Sequence, residues 1–409
     1  MATSPITQFK PALAHVGPRF LGPSIISATG SAFLTPILPA YLTQTDASLT
    51  FVSAVLAAAS IGAVAGTIPA SIIIRHIGEQ YATLGGIALA AIGTMLLAFG
   101  GGAPLAFVAC LAAGFGQSIR LLSTQSYNRR AIGARVRGRI MSLFGGGMRA
   151  GALVGPLVAG FLAKWYGFGT TFLIAGGLMA AGCIPLLISI HRTDVPVVPL
   201  APPEQSTESL LQVIRAHFVI ISLAGLAQMG TAAVRFGRLA LIPLYGLAIG
   251  LETDQLGLTI AIASATDLVL FPVAGWLMDA FGRLFAIVPA FLLMSAGLLA
   301  LPLADSFWTL TGVGVIIGIG NGIGSGTMLT ISTDLAPADN PARFLAALRL
   351  LGDTGRILGT VLVGFVADRL DLAASAYVLA AIGVASAALF AFGIGETRTL
   401  EHENAGTQT

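Results

Sequence analysis

Gly151-Ala152-Leu153-Val154-Gly155-Pro156-Leu157-Val158-Ala159-Gly160-Phe161 has a counterpart in Gly355-Arg356-Ile357-Leu358-Gly359-Thr360-Val361-Leu362-Val363-Gly364-Phe365. Three glycines and the closing Phe recur at an offset of 204 residues. The same offset holds outward from this stretch. It pairs Leu38-Pro39-Ala40-Tyr41 with Ile242-Pro243-Leu244-Tyr245, Gly78 with Gly282, Gly114 and Gly116 with Gly318 and Gly320, and Arg139 with Arg343. An offset unbroken over five apolar segments marks an internal repeat. It predicts two six-helix bundles with a substrate site between them at mid-membrane depth.

Composition supports a membrane chain. Of 409 residues, 56% are hydrophobic and only 10% are charged, against roughly 25% charged in a soluble protein. Most of the surface must therefore face lipid, which excludes a water-soluble enzyme. A net charge of +3 gives no footprint for nucleic acid. Apolar windows predict twelve spans: 20–42, 49–74, 81–100, 104–127, 140–165 and 168–190, then 218–246, 255–279, 284–303, 307–332, 344–370 and 373–392. The fold class is all-α membrane protein. Its expected parts are bundles at 1–191 and 218–395, a polar linker at 192–217 rich in Pro, Glu, Ser and Thr, and a tail at 396–409. No cleavable signal peptide is expected. Cys110 and Cys183 lie in apolar spans and imply no disulfide framework.

Most of the 21 Lys and Arg fall in the loops on one side, with Arg129, Arg130, Arg135, Arg137 and Arg139 crowded into one of them. Positive residues stay in the cytoplasm. The chain is therefore expected in a cell inner (plasma) membrane, multi-pass, with both termini cytoplasmic. Trp165, Trp276, Trp308 and all six Tyr lie near span ends, where interfacial aromatics collect.

The segment Gly275-Trp276-Leu277-Met278-Asp279-Ala280-Phe281-Gly282-Arg283 and its weaker first copy, Ser71-Ile72-Ile73-Ile74-Arg75-His76-Ile77-Gly78-Glu79, resemble the loop signature of the major facilitator superfamily. The charges of Arg75 and Glu79 are reversed relative to Asp279 and Arg283, and an i, i+4 ion pair is possible in both copies. Gly147, Gly151, Gly155-Pro156 and Gly160 in span 5 are similar to the signature of its drug-proton antiporter branch, with Ser142 where that pattern has its first Gly. Independently of the family, glycines four apart let helix backbones approach closely, and Pro156 removes one hydrogen bond. The resemblance implies alternating access by two bundles. It implies gating roles for Arg75, Glu79, Asp279, Gly282, Arg283, Arg139 and Arg343, with Asp279 reaching Arg139 and Arg75 reaching Asp334 or Asp339. Cys110 stands where the span-4 pattern has an Arg, so proton coupling does not carry over at that position.

Eight ionisable residues lie within spans and away from their ends: Arg120, Arg149, Arg235, Arg238, Asp267, Arg349, Asp353 and Arg356. Each costs about 2.5–3.5 kcal/mol at a helix centre, so they should avoid lipid. They fall only on spans 4, 5, 7, 8 and 11. Arg349, Asp353 and Arg356 share one face. Gln228, Thr231, Arg235 and Arg238 form another stripe, and Gln117, Arg120 and Thr124 a third. Arg149 is the repeat partner of Asp353, and a contact between them across the pseudo-two-fold is one expectation. Six Arg against two Asp leave a surplus of guanidinium, which recognises carboxylate or phosphate. A structural role for these Arg is the alternative.

These features predict a secondary active transporter, not an enzyme. It is expected to exchange a small organic anion or amphiphile outward for protons. The expected substrate residues are Arg120, Arg149, Arg235, Arg238, Arg356, Gln117, Gln228 and Asn321, and the proton residues Asp267 and Asp353. A proton-coupled or exchange importer and a lipid flippase are the alternatives. No metal cluster, phosphate-binding glycine loop or other cofactor motif stands out. The expected partners are substrate, protons and the bilayer, with the chain a monomer.

Overall fold

Apolar runs inside a bilayer have no water to satisfy their peptide groups, so each closes its hydrogen bonds internally as a helix. A computed structural model shows this outcome. It describes residues 13, 16–132, 134–190, 210–337 and 341–397, and contains no strand among them. In chain order the helices are α1 Gly22–Ala32, α2 Leu34–Leu42, α3 Leu49–Leu96, α4 Gly102–Ala131, α5 Ala134–Ala181, α6 Cys183–Ile190 and α7 Leu210–Ala216. They continue as α8 Phe218–Ala248, α9 Thr253–Phe281, α10 Arg283–Ala300, α11 Phe307–Ile323, α12 Thr327–Asp334, α13 Pro341–Arg369 and α14 Leu372–Ala388.

Ten helical runs among the described residues are long and apolar enough to cross a membrane. Two of them, Leu49–Phe99 and Arg139–Ser189, have 51 residues each, about twice what one crossing needs. Each is two helices in series, broken at Gly78 (φ 80°) and Gly167 (φ 79°). Glycine alone enters that region without steric cost, so these breaks are written in the sequence.

The chain divides into two compact units. The first comprises 1–47, 54–203 and 252–261, and the second 48–53, 204–251 and 262–409. The division expected from the repeat runs at the linker, yet two short segments group with the opposite half. In the first unit α1 and α5 pack through small residues. A Cβ on Gly151 would meet Thr29 Oγ1 at 2.6 Å, and one on Gly155 would meet Ala32 Cβ at 2.7 Å. The expected packing role of Gly147, Gly151 and Gly155 therefore has a named partner helix. Phe20 stacks on Tyr127 with ring centroids 3.9 Å apart. Tyr127 is thus buried (4% exposed) and does not belong to an interfacial belt, because Phe20 offers it a stacking partner. Trp165, Trp276 and Trp308 are all largely exposed.

In the second unit α8 packs on α13 in the repeat-equivalent way. A Cβ on Gly355 would strike the Met229 carbonyl, and one on Gly359 would strike Ala233. The end of the expected linker is not extended. Residues 210–216 form α7, whose Val213 is buried with Ile221, Ala224 and Phe344. The adjacent apolar side chains of Val213 and Ile214 explain why it docks.

Candidate functional site

The polar stripe of α8 faces a break in the chain. Gly324-Ser325-Gly326 separates α11 from α12, with Gly326 at φ 81°. Such interruptions leave carbonyls without helical partners. Arg235 of α8 fills the gap, its Nη2 donating to the Gly324 carbonyl while its guanidinium lies 5.3 Å from the Phe291 ring centroid. Ser325, 3% exposed, donates to the Asn321 carbonyl at 2.9 Å and lies 3.5 Å from Asp267 Oδ1. Asp267 of α9 is also the carboxylate near Arg238. Gln228 accepts from Ser332 Oγ at 3.5 Å. The fold of the second unit therefore gathers Arg235, Arg238, Asp267, Asn321 and Gln228 around one broken helix. Discontinuous membrane helices at mid-depth commonly build transporter sites.

Asp353 on α13 is held by its own helix. Arg356 Nη2 donates to Asp353 Oδ1 at 2.7 Å, and Arg349 Nε lies 3.8 Å from Oδ2. Arg356 also rests over the Phe236 ring at 4.7 Å. Asp267 and Asp353 thus differ in kind: one adjoins a hydroxyl and a helix break, the other is clasped by two guanidinium groups.

In the first unit the charge runs the other way. Arg120 of α4, 2% exposed, donates to the Ser24 carbonyl at 3.3 Å and to Gln117 Oε1 at 3.4 Å. Ser24 Oγ also bonds Thr124 Oγ1 at 3.0 Å. The repeat places Arg120 opposite Gly324. One unit therefore sends a guanidinium from its fourth span to its first, and the other sends one from its seventh span to its tenth. Arg149 lies half-buried on α5.

The loop signature folds differently from an i, i+4 pair on a helix. Gly78 and Gly282, at φ 80° and 107°, fall between the charged partners and turn the chain there. Asp279 is 86% exposed and sits only 4.0 Å from Arg283. Besides this expected pair, Arg283 donates through Nε to Asp334 at 3.0 Å and through Nη1 to the Met278 carbonyl at 3.1 Å. Asp334, expected to receive Arg75, also accepts from Thr397 Oγ1 at 3.0 Å. Asp339 lies outside the described residues. Arg75 and Arg139 are exposed and Arg343 is half-buried. Glu79 accepts from Ser126 Oγ at 3.1 Å. One participant was not anticipated. Glu396, just past the last span, accepts from the backbone N–H of Arg283 at 2.9 Å and of Leu284 at 3.0 Å. It thereby caps α10, and a Cβ on Gly282 would collide with it.

A groove of about 480 Å³ in the second unit, between α8, α13 and α14, is apolar apart from Ser386. It contains none of the charged candidates.

The family model of the Major Facilitator Superfamily matches residues 24–263 and 224–409. The chain belongs to this superfamily. Its all-helical fold is that of the superfamily, and it is a multi-pass membrane protein rather than an enzyme. It is 24% identical over 247 residues to an uncharacterized MFS-type transporter of Methanocaldococcus jannaschii, covering 59% of this chain and 63% of that one. It is 21% identical over 234 residues to a multi-drug resistance efflux pump PmrA homolog of Lactococcus lactis, covering 54% and 56%. A chromaffin granule amine transporter of Rattus norvegicus is 24% identical over 270 residues, covering 63% and 48%. The chain thus spans roughly half to two thirds of these relatives. Among solved structures, a POT family transporter in complex with a thioalcohol-conjugated peptide has a TM-score of 0.75 at 15% identity, covering 91% of this chain and 94% of that one. A D-xylose-proton symporter has a TM-score of 0.70 at 16% identity, covering 95% and 99%.

Proposed function

We propose that this superfamily member is a proton-coupled exporter of a small organic anion or anionic amphiphile. The observation that carries the reading is the arginine surplus at the broken helix. Arg238 has Asp267 near it, Arg235 reaches the Gly324 carbonyl, and Asp353 is already shared by Arg349 and Arg356. A guanidinium inside a membrane protein is costly to keep, and such residues commonly mark a substrate pathway. Arg120, Arg149, Arg356, Gln117, Gln228 and Asn321 are the further substrate candidates. Asp267 is the proton carrier, and Asp353, already clasped by Arg349 and Arg356, the less suited one. Efflux is the direction named for the Lactococcus relative. The chain works as a monomer in the inner membrane with both termini inside, as its basic loops direct.

The rat relative is named for amines, which is the specific reason to keep a second reading with a cationic cargo held by Asp267. Counterflow in proteoliposomes, with a panel of organic anions and amines and with or without a pH gradient, separates the two. Anion exchange supports the first reading and preferential amine uptake overturns it. Asp267→Asn should abolish flux driven by the pH gradient and leave substrate exchange intact. Unchanged gradient-driven flux removes Asp267 from the proton path.

A further inference from the structure

Lys164 and Asp368 occupy equivalent places in the repeat and carry opposite charges. Each grips the first turn of a helix. In the second unit Asp368 Oδ1 accepts from the Leu49 N–H at 2.9 Å and Oδ2 from the Thr50 N–H at 2.7 Å. Thr50 Oγ1 adds a bond to the Gly364 carbonyl at 3.3 Å. Gly364 permits this approach, since a Cβ there would strike the Leu49 carbonyl and Ser53 Oγ. In the first unit the Lys164 ammonium pairs with Glu252 at 2.7 Å and Asp254 at 2.8 Å. Thr253 Oγ1 donates to the Gly160 carbonyl at 3.3 Å, and a Cβ on Gly160 would meet Asp254 Cα at 3.0 Å.

Electrostatics explains how opposite charges do one task. The start of a helix presents unpaired N–H groups and a partial positive charge. Asp368 binds that end of the 49–53 segment directly. A lysine would be repelled by a bare helix start. The 252–261 segment supplies its own acids there, with Asp254 in the first turn of α9, and so reverses the sign that Lys164 meets. These two grips account for the grouping of residues 48–53 with the second unit and 252–261 with the first.

We propose that Lys164 and Asp368 are gating residues of the transport cycle, holding these two segments closed in one working state and releasing them in another. The proposal rests on the transporter reading but on no assignment of substrate or proton site. Lys164 is 42% exposed along its side chain and Asp368 is exposed. Solvent-exposed charge pairs are weak, which suits contacts that must be made and broken at every turnover.

The test uses a chain with Cys110→Ala and Cys183→Ala, reconstituted in lipid vesicles. Ser53→Cys and Thr259→Cys serve in turn as reporters, both positions being fully buried. Labelling by a membrane-impermeant maleimide is followed. Asp368→Asn should raise the Ser53→Cys rate about three- to tenfold, in keeping with the loss of a weak exposed interaction, and Asp368→Glu should hold it near the parent rate. Lys164→Glu should raise the Thr259→Cys rate similarly. Adding Glu252→Lys and Asp254→Lys to Lys164→Glu should restore slow labelling, which a lysine acting through packing alone would not do. Without any substitution at the grips, raising salt should speed labelling of Thr259→Cys more than of Ser53→Cys, because an ion pair is screened. Parent-like rates in both Asp368→Asn and Lys164→Glu, or fast labelling in the charge-reversed triple, would overturn the proposal. Labelling needs no substrate, so its failure is distinct from a failure of the Asp267 experiment.

Discussion

Glu396 shows how much one side chain can settle that its neighbours in sequence do not announce. The signature Gly275–Arg283 predicts a tight charged loop with an Asp279–Arg283 ion pair, which forms at 4.0 Å. The helix itself does not continue through it, because Gly282 turns the chain at φ 107°. Two N–H groups at the start of α10 are left to find an acceptor, and the Glu396 carboxylate takes both. Replacing Glu396 by Ala should cost about 1–2 kcal/mol, the range for losing a helix cap. A lowered midpoint of thermal unfolding in detergent checks this, and a wild-type midpoint would count against the cap. Asp334→Asn should weaken the same corner by removing a charged partner of Arg283. Arg120 teaches the complementary lesson. Its presence in a span marks it as important, but only its neighbours reveal that it reaches the Ser24 carbonyl of α1.

At the scale of elements, helix packing was the most legible property. Glycines four apart in α5 and α13 predict close approach, and their partners are α1 and α8. Gly355→Ala should therefore destabilise by about 1–3 kcal/mol, the usual cost of overpacking, because a Cβ would strike the Met229 carbonyl. Gly275→Ala is the control. Nothing lies within 4 Å of a Cβ there, and alanine is the better helix former by about 1 kcal/mol. Unfolding of the two variants in detergent should thus move in opposite directions; equal losses would refute the packing argument. The break between α11 and α12 was less legible. Gly322, Gly324 and Gly326 read equally well as packing residues, and only the backbone shows that Gly326 reverses the helix. Helix α7 was hidden for another reason. Seven residues are too few for a periodic signal, and it is stabilised by Val213 docking on the second unit.

For the whole molecule, the repeat brings out an unexpected regularity: equivalent positions exchange polarity. Lys164 answers Asp368, and Arg149 answers Asp353. Lys164 and Asp353 find their partners inside their own units, Lys164 with Glu252 and Asp254, and Asp353 with Arg349 and Arg356. On this view Asp353→Arg should be far more damaging than Asp353→Asn. It would place three guanidinium groups on one face of α13 with no carboxylate among them. Counterflow and membrane yield of the two variants would check it, with equal loss in both arguing against the electrostatic account. The sequence alone determined the helical membrane class, the internal repeat at an offset of 204 residues and the residues worth testing, because lipid demands long apolar runs and penalises every stray charge. The tertiary structure decided which charges meet. Partners such as Arg283 with Asp334, Arg235 with the Gly324 carbonyl, and Asp368 with the N–H groups of Leu49 and Thr50 lie far apart along the chain. No local pattern encodes them, and only packing brings donor and acceptor within hydrogen-bonding distance.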